Sequence, residues 1–262
     1  MHPIQKFSTK TGDWWLPTDN NVDIVIKAIK SGDFFEEDVI NAVAKFIKPG
    51  SVVLDVGANF GQMSVAFSRL TGPTGKVHSF EADDFVFDLL LRNIEANGCK
   101  NIEPHFGAVW NDDGLTLHYP EPDFERFGSY GSYGIDMNAT SGREVKSYTI
   151  DSLNISGPVS VMKVDIQGSD LFAMKGARNL IAREKPAIIF EYEEQFLKEF
   201  GTSYEDYMNF IDEIGYVIVG EVGRIRYVRN FVAIPLPKNW IGRVGIFARQ
   251  LISFAKNRRW PK

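Results

Sequence analysis

Residues 52–61 read Val-Val-Leu-Asp-Val-Gly-Ala-Asn-Phe-Gly, an apolar run that ends at Asp55 and enters a turn holding Gly57, Asn59 and Gly61. Twenty residues beyond Gly61, the short run Lys76–Phe80 ends in a second carboxylate, Glu81. Glycines let a backbone approach a ligand closely, and a carboxylate at the tip of the next strand accepts hydrogen bonds from ribose hydroxyls. The spacing fits a nucleoside-type cofactor at the end of a parallel sheet. A dinucleotide turn reads G-x-G-x-x-G, because a pyrophosphate needs free N–H groups at a helix N-terminus. Here that spacing is absent, and Asp55 would repel a pyrophosphate. A carboxylate beside the turn suits a cation instead. S-adenosylmethionine carries a sulfonium, an ammonium and no phosphate, so it is the expected cofactor. The competing reading is an ordinary strand–turn–helix in which the glycine serves packing.

Asp55 and the backbone of Gly57, Asn59 and Gly61 are expected to face the amino acid part of that cofactor, Glu81 its ribose, and the stretch around Ala108 its adenine. Methyl transfer from a sulfonium is an in-line displacement, so the acceptor must be held about 3 Å from the methyl carbon. A hydroxyl acceptor is barely ionised at neutral pH and calls for a general base or a charge-stabilising group. Further acids at the ends of apolar runs are Asp165, with Lys163 two residues earlier, and Glu191. Asp165 with Lys163 is the expected catalytic pair; the alternative for Asp165 is a carboxylate that only complements the next helix dipole. Glu191 is expected to bind the acceptor or the methionine amine, against a purely structural ion pair. His105 is a further candidate base, although a lone His beside Phe106 is also explained by packing. The four histidines and Cys99 show no metal-ligand spacing along the chain, and no metal is expected.

These residues need elements to position them. Strands Ser51–Val56 and Lys76–Phe80 alternate with helical patterns at Gln62–Leu70 and Phe85–Asn97, and Ile102–Val109 reads as the next strand. Such alternation means βαβ units and a parallel sheet. Asp112-Asp113-Gly114 then turns into Leu115–Tyr119, as in a hairpin. Residues 120–142 are rich in Pro, Gly, Ser and Tyr, and read as a lid in which Tyr130 and Tyr133 could stack on a sugar ring; ordinary loop tyrosines are the other reading. Strands follow at Val145–Ile150, Val159–Val164 and Ala187–Phe190, with a helix at Asp170–Ile181 and a capping box at Ser203 and Asp206. Tyr216–Glu221 and Tyr227–Ile234 fit an antiparallel pair at the sheet edge. Before the sheet, residues 1–50 form a cap segment with a helix at Glu36–Ile47.

Composition sets the wider limits. The chain has 262 residues, 44% hydrophobic and 24% charged, sufficient for one α/β domain with additions. A single cysteine excludes an internal disulfide and fits a reducing, cytoplasmic setting. No run of about 18 apolar residues is present, and the N-terminus does not read as a signal peptide. The formal charge is −5, yet residues 240–262 carry six basic residues and no acid. A body this acidic argues against nucleic acid as a partner. In Trp240–Lys262, Ile241, Val244, Phe247, Leu251 and Phe254 recur at spacings of three and four, as in a basic amphipathic helix. Such a helix either touches a membrane surface or docks on the acidic body or on a second copy of the chain.

The ordered motifs resemble the FkbM family of S-adenosylmethionine-dependent methyltransferases from about Ile24 to Pro235. They are Gly32 with Glu36 and Glu37, Pro49–Gly61, Phe80-Glu81, Ala108-Val109, Thr149–Leu153, Lys163–Gly168, Lys175–Ala177, and Pro186 with Phe190-Glu191. The resemblance implies a class I methyltransferase fold: a Rossmann-like, mostly parallel sheet with helices on both faces. It also implies O-methylation of a hydroxyl on a glycan, a glycolipid or a secondary metabolite. The chain departs from the family at Gln167 and Asp170, where the family pattern carries Glu. The missing carboxylate at Gln167 leaves open a module that holds the cofactor without catalysis.

Overall fold

The computed structural model describes residues 2–120, 128–132, 134–139, 142–225 and 228–237. The basic segment Trp240–Lys262 and Tyr133 therefore lie outside the described residues. Near the N-terminus, within the cap segment, β1 (Ile4–Thr9) and β2 (Gly12–Pro17) form an antiparallel hairpin that the sequence pattern does not predict. Its free edge is held by side chains. Asn93 accepts the Trp15 N–H at 2.6 Å, and Asn97 accepts that of Asp13 at 3.2 Å. The two asparagines are one helical turn apart, so they meet alternate residues of the strand.

Two short helices follow, α1 (Ile24–Ser31) and α2 (Glu37–Ala44). Asp23 caps α1 by accepting the Ile26 N–H at 2.9 Å. The second helix ends three residues earlier than its apolar spacing predicts. Ahead of it, Gln62 accepts the Phe35 N–H at 2.9 Å and donates to the Asp33 carbonyl at 2.8 Å, which sets the turn carrying Glu36.

All five residues of β3 (Val52–Val56) are buried, as in a strand covered on both faces. The chain continues through α3 (Gln62–Thr71), β4 (Lys76–Glu81), α4 (Asp84–Ala96) and β5 (Ile102–Phe106). Later come β9 (Val159–Val164), β10 (Ala187–Glu193), β11 (Tyr216–Ile225) and β12 (Val228–Pro235). They form a seven-stranded sheet in the order β11-β12-β10-β9-β3-β4-β5. The five strands from β10 to β5 run parallel, while β12 pairs antiparallel with β10 and β11. This is the mainly parallel α/β sheet with an antiparallel edge pair that the alternation predicts. The direction of winding reverses between β3 and β9, which opens a crevice at their carboxyl ends.

Three expectations change. Ile102–Val109 is not one strand: the backbone bends at Gly107, with φ +132°, where any Cβ would lie 2.6 Å from the Tyr148 ring. The continuation, β6 (Ala108–Val109), leaves the main sheet. It joins β7 (Thr116–Tyr119) and β8 (Arg143–Tyr148) in the order β6-β8-β7, so β8 separates the two arms of the expected hairpin. The helix over Asp170–Ile181 is two helices, α5 (Asp170–Lys175) and α6 (Arg178–Glu184). Asp151 accepts the N–H groups of Asn179 and Leu180 at 2.9 and 2.8 Å, satisfying the first turn of the second helix. Ser169 stands at the N-cap of α5 without a side-chain capping bond; its hydroxyl donates to the Ile166 carbonyl at 2.9 Å. After β10 come α7 (Leu197–Phe200) and α8 (Tyr204–Glu213), the latter with the expected capping box.

Candidate active site

A cavity of about 630 Å³ opens at the carboxyl ends of β3, β4, β9 and β10. Its walls include Gly57, Glu81, Ala108, Lys163, Asp165 and Glu191, with Glu36 and Tyr130 added from outside the sheet. This volume lies within the roughly 300–1,000 Å³ of small-molecule sites. Among the described residues, six carboxylates line it (Glu36, Glu81, Asp165, Glu191, Glu193, Glu199) against the one ammonium of Lys163. Such a wall favours a cationic or neutral ligand over a phosphate.

Two chain turns cross at the floor. Gly57 has φ +83°, and a Cβ there would fall 1.8 Å from the carbonyl oxygen of Asp165. Only glycine lets the β3 turn lie this close to the β9 turn. On the other side of β3, Glu81 accepts N–H groups from Asn59 at 2.9 Å, Ala82 at 2.8 Å and Asp83 at 2.9 Å. These three donors orient its carboxylate, and part of its surface remains open to the cavity. Burial pushes its carboxyl up to about 7, although the backbone donors work against that rise.

Lys163 holds the centre. Its Nζ donates to the Gly57 carbonyl at 3.0 Å and lies 3.2 Å from Asp165 and 3.5 Å from Asp55. Burial alone would lower this ammonium, but Asp165, Asp55 and Glu36 outweigh it and hold the group above its ordinary value. Lys163 is thus a fixed cation and not a proton acceptor. Asp165 is the exposed end of the pair: its side chain is 20% accessible, that of Asp55 not at all.

Gln167, in the left-handed region at φ +53°, extends its amide between two acids. The Nε2 group donates to Asp165 at 3.3 Å and to Glu191 at 3.2 Å. A glutamate here would set a third carboxylate between two others, whereas the amide supplies two donors. The departure at Gln167 therefore builds an orienting bridge. Burial, then Asp165, Glu193 and Asp170, push Glu191 well above the usual carboxylate range. Burial also raises Glu193 to about 6 and, with Asp165, Glu36 to about 8. Asp170 is fully buried and accepts the Glu191 N–H at 3.2 Å.

The fold brings Gly57, Asn59, Glu81, Ala108, Lys163, Asp165 and Glu191 together at this cavity. Four expectations are corrected. Asp55 does not reach the wall, because it faces inward to Lys163 and to Ser64, whose hydroxyl donates at 2.5 Å. Gly61 lies behind the wall, at the N-cap of α3. His105 is on the edge strand β5, its ring flat against Phe80 at 4.8 Å, and it does not line the cavity. Tyr130 lines the cavity, but its ring is packed and not open as expected of a sugar-stacking lid. It is buried against Phe60 and Phe85, and its N–H donates to Asp23 at 2.9 Å.

Three wall carboxylates, Glu36, Glu193 and Glu199, are absent from the site expected from the sequence. Glu193 follows Glu191 by two positions, so both point to the same side of β10, a signal visible in the Glu-Tyr-Glu run. In the sequence Glu36 stands at the start of a predicted helix and in the family lead-in after Gly32, without a site role. It enters through the left-handed turn before α2, and nothing local to its sequence points across to β9.

The FkbM methyltransferase domain matches residues 55–218. The tRNA (adenine(58)-N(1))-methyltransferase catalytic subunit TRM61 of Cryptococcus neoformans is 30% identical over 84 residues, 29% of this chain and 19% of that protein. The same subunit from Yarrowia lipolytica is 35% identical over 66 residues, 25% of this chain and 17% of that one. The chain thus spans less than a fifth of the length of these curated relatives. Among solved structures it is similar to the methyltransferase FkbM from Methylobacillus flagellatus KT, with TM-score 0.47 and 19% identity, covering 80% of this chain and 52% of that one. A SAM dependent methyltransferase from Aquifex aeolicus gives TM-score 0.44 and 15% identity, covering 77% and 92%.

Proposed function

The chain belongs to the FkbM methyltransferase family, and from that premise we propose that it transfers a methyl group from S-adenosylmethionine to a hydroxyl of a sugar in a glycan or glycolipid. When bound, S-adenosylmethionine supplies an electrophilic methyl group on a sulfonium. The residues present fit it: a carboxylate at the β4 tip beside Ala108, a glycine turn free of side chains, and acidic walls that suit a cation.

The observation that carries the reading is the placement of Asp165. It is the partly exposed carboxylate at the β9 end, gripped by Lys163 at 3.2 Å and by Gln167 at 3.3 Å. Two partners on different elements remove its rotational freedom, as a group that must meet an acceptor in line requires. Asp165 orients the acceptor hydroxyl and takes its proton as the oxygen attacks. Lys163 does not exchange protons; it lies between Asp55 and Asp165, offsetting part of their charge, and locks the two turns together. Glu191 and Glu193 offer hydrogen bonds to further hydroxyls of a sugar, which carboxyl groups recognise well. The acidic wall supports a neutral acceptor over nucleic acid, whose phosphates it would repel.

The test is a product assay. The protein, S-adenosylmethionine and extracted glycans or glycolipids should give a product one methylene heavier, with the added group on oxygen by fragmentation mass spectrometry. Methylation of a small secondary metabolite alone would replace the acceptor class. Cofactor binding without any product would favour a non-catalytic module, and methylated transfer RNA would overturn the proposal.

A further inference from the structure

Away from the cavity, three potential ligands converge on the edge of the sheet. In the β4–β5 register, His78 stands opposite Glu103, and His105 lies two residues further along β5, so all three share one face. His78 Nδ1 is 2.9 Å from His105 Nε2, and Glu103 Oε1 lies 3.9 Å from the first and 3.8 Å from the second. Among the described residues, this is the one place where three ligand atoms of His, Cys, Asp or Glu gather so closely. None of the three lines the methyl-transfer cavity.

The triangle has the size of a metal site. Its centre lies about 2.1 Å from each corner, against roughly 2.0–2.2 Å for zinc bound to imidazole nitrogen or carboxylate oxygen. Glu103 makes no hydrogen bond to either ring, since 3.8 and 3.9 Å are too long, whereas the two rings lie within hydrogen-bond distance of each other. The ligands are also held in advance. Phe80 stacks on His105 with 15° between the rings, and His78 is buried. Lys76 grips the other oxygen of Glu103 at 2.8 Å, turning Oε1 toward the histidines. Partners that orient the ligands in this way are a regular part of metal sites.

We propose that His78, Glu103 and His105 form a site for a divalent transition metal ion of the zinc type. Two imidazoles and one carboxylate suit zinc better than magnesium or calcium, which prefer oxygen ligands alone. The side chain of Glu103 is 48% accessible, so a remaining coordination position faces water. The ion would clip β5 to β4 three residues before Glu81, bracing the strand whose tip meets the cofactor.

The test uses the full chain without an affinity tag, stripped by a chelator, and zinc chloride as the probe. Calorimetry should give one zinc per chain with a Kd below about 10 μM, and cobalt chloride should produce visible absorption from nitrogen and oxygen ligation. Zinc should raise Tm by several degrees at about one hundred times Kd. Glu103→Gln and His105→Gln should each weaken zinc binding by more than about tenfold. Circular dichroism should show both variants folded; Glu103 is half exposed, so its variant decides the matter should the His105 variant unfold. No zinc binding tighter than about 1 mM, or unchanged binding in Glu103→Gln, would overturn the proposal.

Discussion

The ammonium of Lys163 donates to the carbonyl of Gly57 across 3.0 Å, tying the β9 strand to the turn that follows β3. The same ammonium lies between Asp55 below and Asp165 above. One buried cation thus serves the stability of the floor and the aim of the carboxylate at its surface.

Lys163→Met should therefore cost more than packing. It leaves Asp55 and Asp165 without their cation, and breaking a buried pair from one side costs about 3–5 kcal/mol. Urea denaturation of the variant should show a loss of that size. A loss below about 1 kcal/mol would mean that the two carboxylates find other partners.

Asp165→Asn keeps the shape of the side chain and removes the carboxylate proposed to accept the proton. Turnover should fall by about 10²–10⁴-fold, with the Kd for S-adenosylmethionine changed by less than about threefold. Undiminished turnover would remove Asp165 from the chemistry.

Gly57→Ala tests the crossing of the two turns. Its Cβ would meet the Asp165 carbonyl at 1.8 Å, in a backbone region that costs a side chain strain besides. The expected result is a loss of more than about 3 kcal/mol in stability, together with loss of cofactor binding. Normal binding calorimetry on the variant would be incompatible with this geometry.

Cofactor binding should release protons. Burial raises Glu36 to about 8, Glu81 to about 7 and Glu193 to about 6, so near neutrality the folded chain holds protons that an unfolded chain has lost. From these groups, folding stability falls as pH rises from about 4.5 toward 8, because the native state binds the more protons there. A cationic ligand favours the ionised carboxylates, so its affinity should increase between about pH 6 and 8. Calorimetry at about pH 6.5 in buffers of different ionisation enthalpy should report proton release to the buffer. Heat independent of the buffer, or proton uptake, contradicts this electrostatic picture.

The basic segment from Trp240 carries a separate proposal, resting on its sequence: contact with anionic lipid, which would suit a lipid-linked acceptor. No helix among the described residues is long and apolar enough to cross a membrane. The intact chain should float with anionic liposomes, and a version ending at Pro237 should not. Equal flotation removes the membrane contact and leaves docking on protein as the alternative.

Much of the architecture was legible in the amino-acid order, because its signals are local. The β3 run, the glycine turn and the carboxylate at Glu81 lie within 30 residues, and parallel strands place their carboxyl ends on one side of a sheet. Asp165 and Glu191 follow from the same rule. The tertiary structure alone decided which carboxylates line the cavity. Asp55 and Asp165 are both acids at strand ends, yet Lys163 draws one into the core and leaves the other at the wall. Glu36 joins the site from across the fold, and His78, Glu103 and His105 meet through strand register over 27 residues. Such groupings depend on long-range packing and pairing, whose partners no periodicity within a single segment encodes.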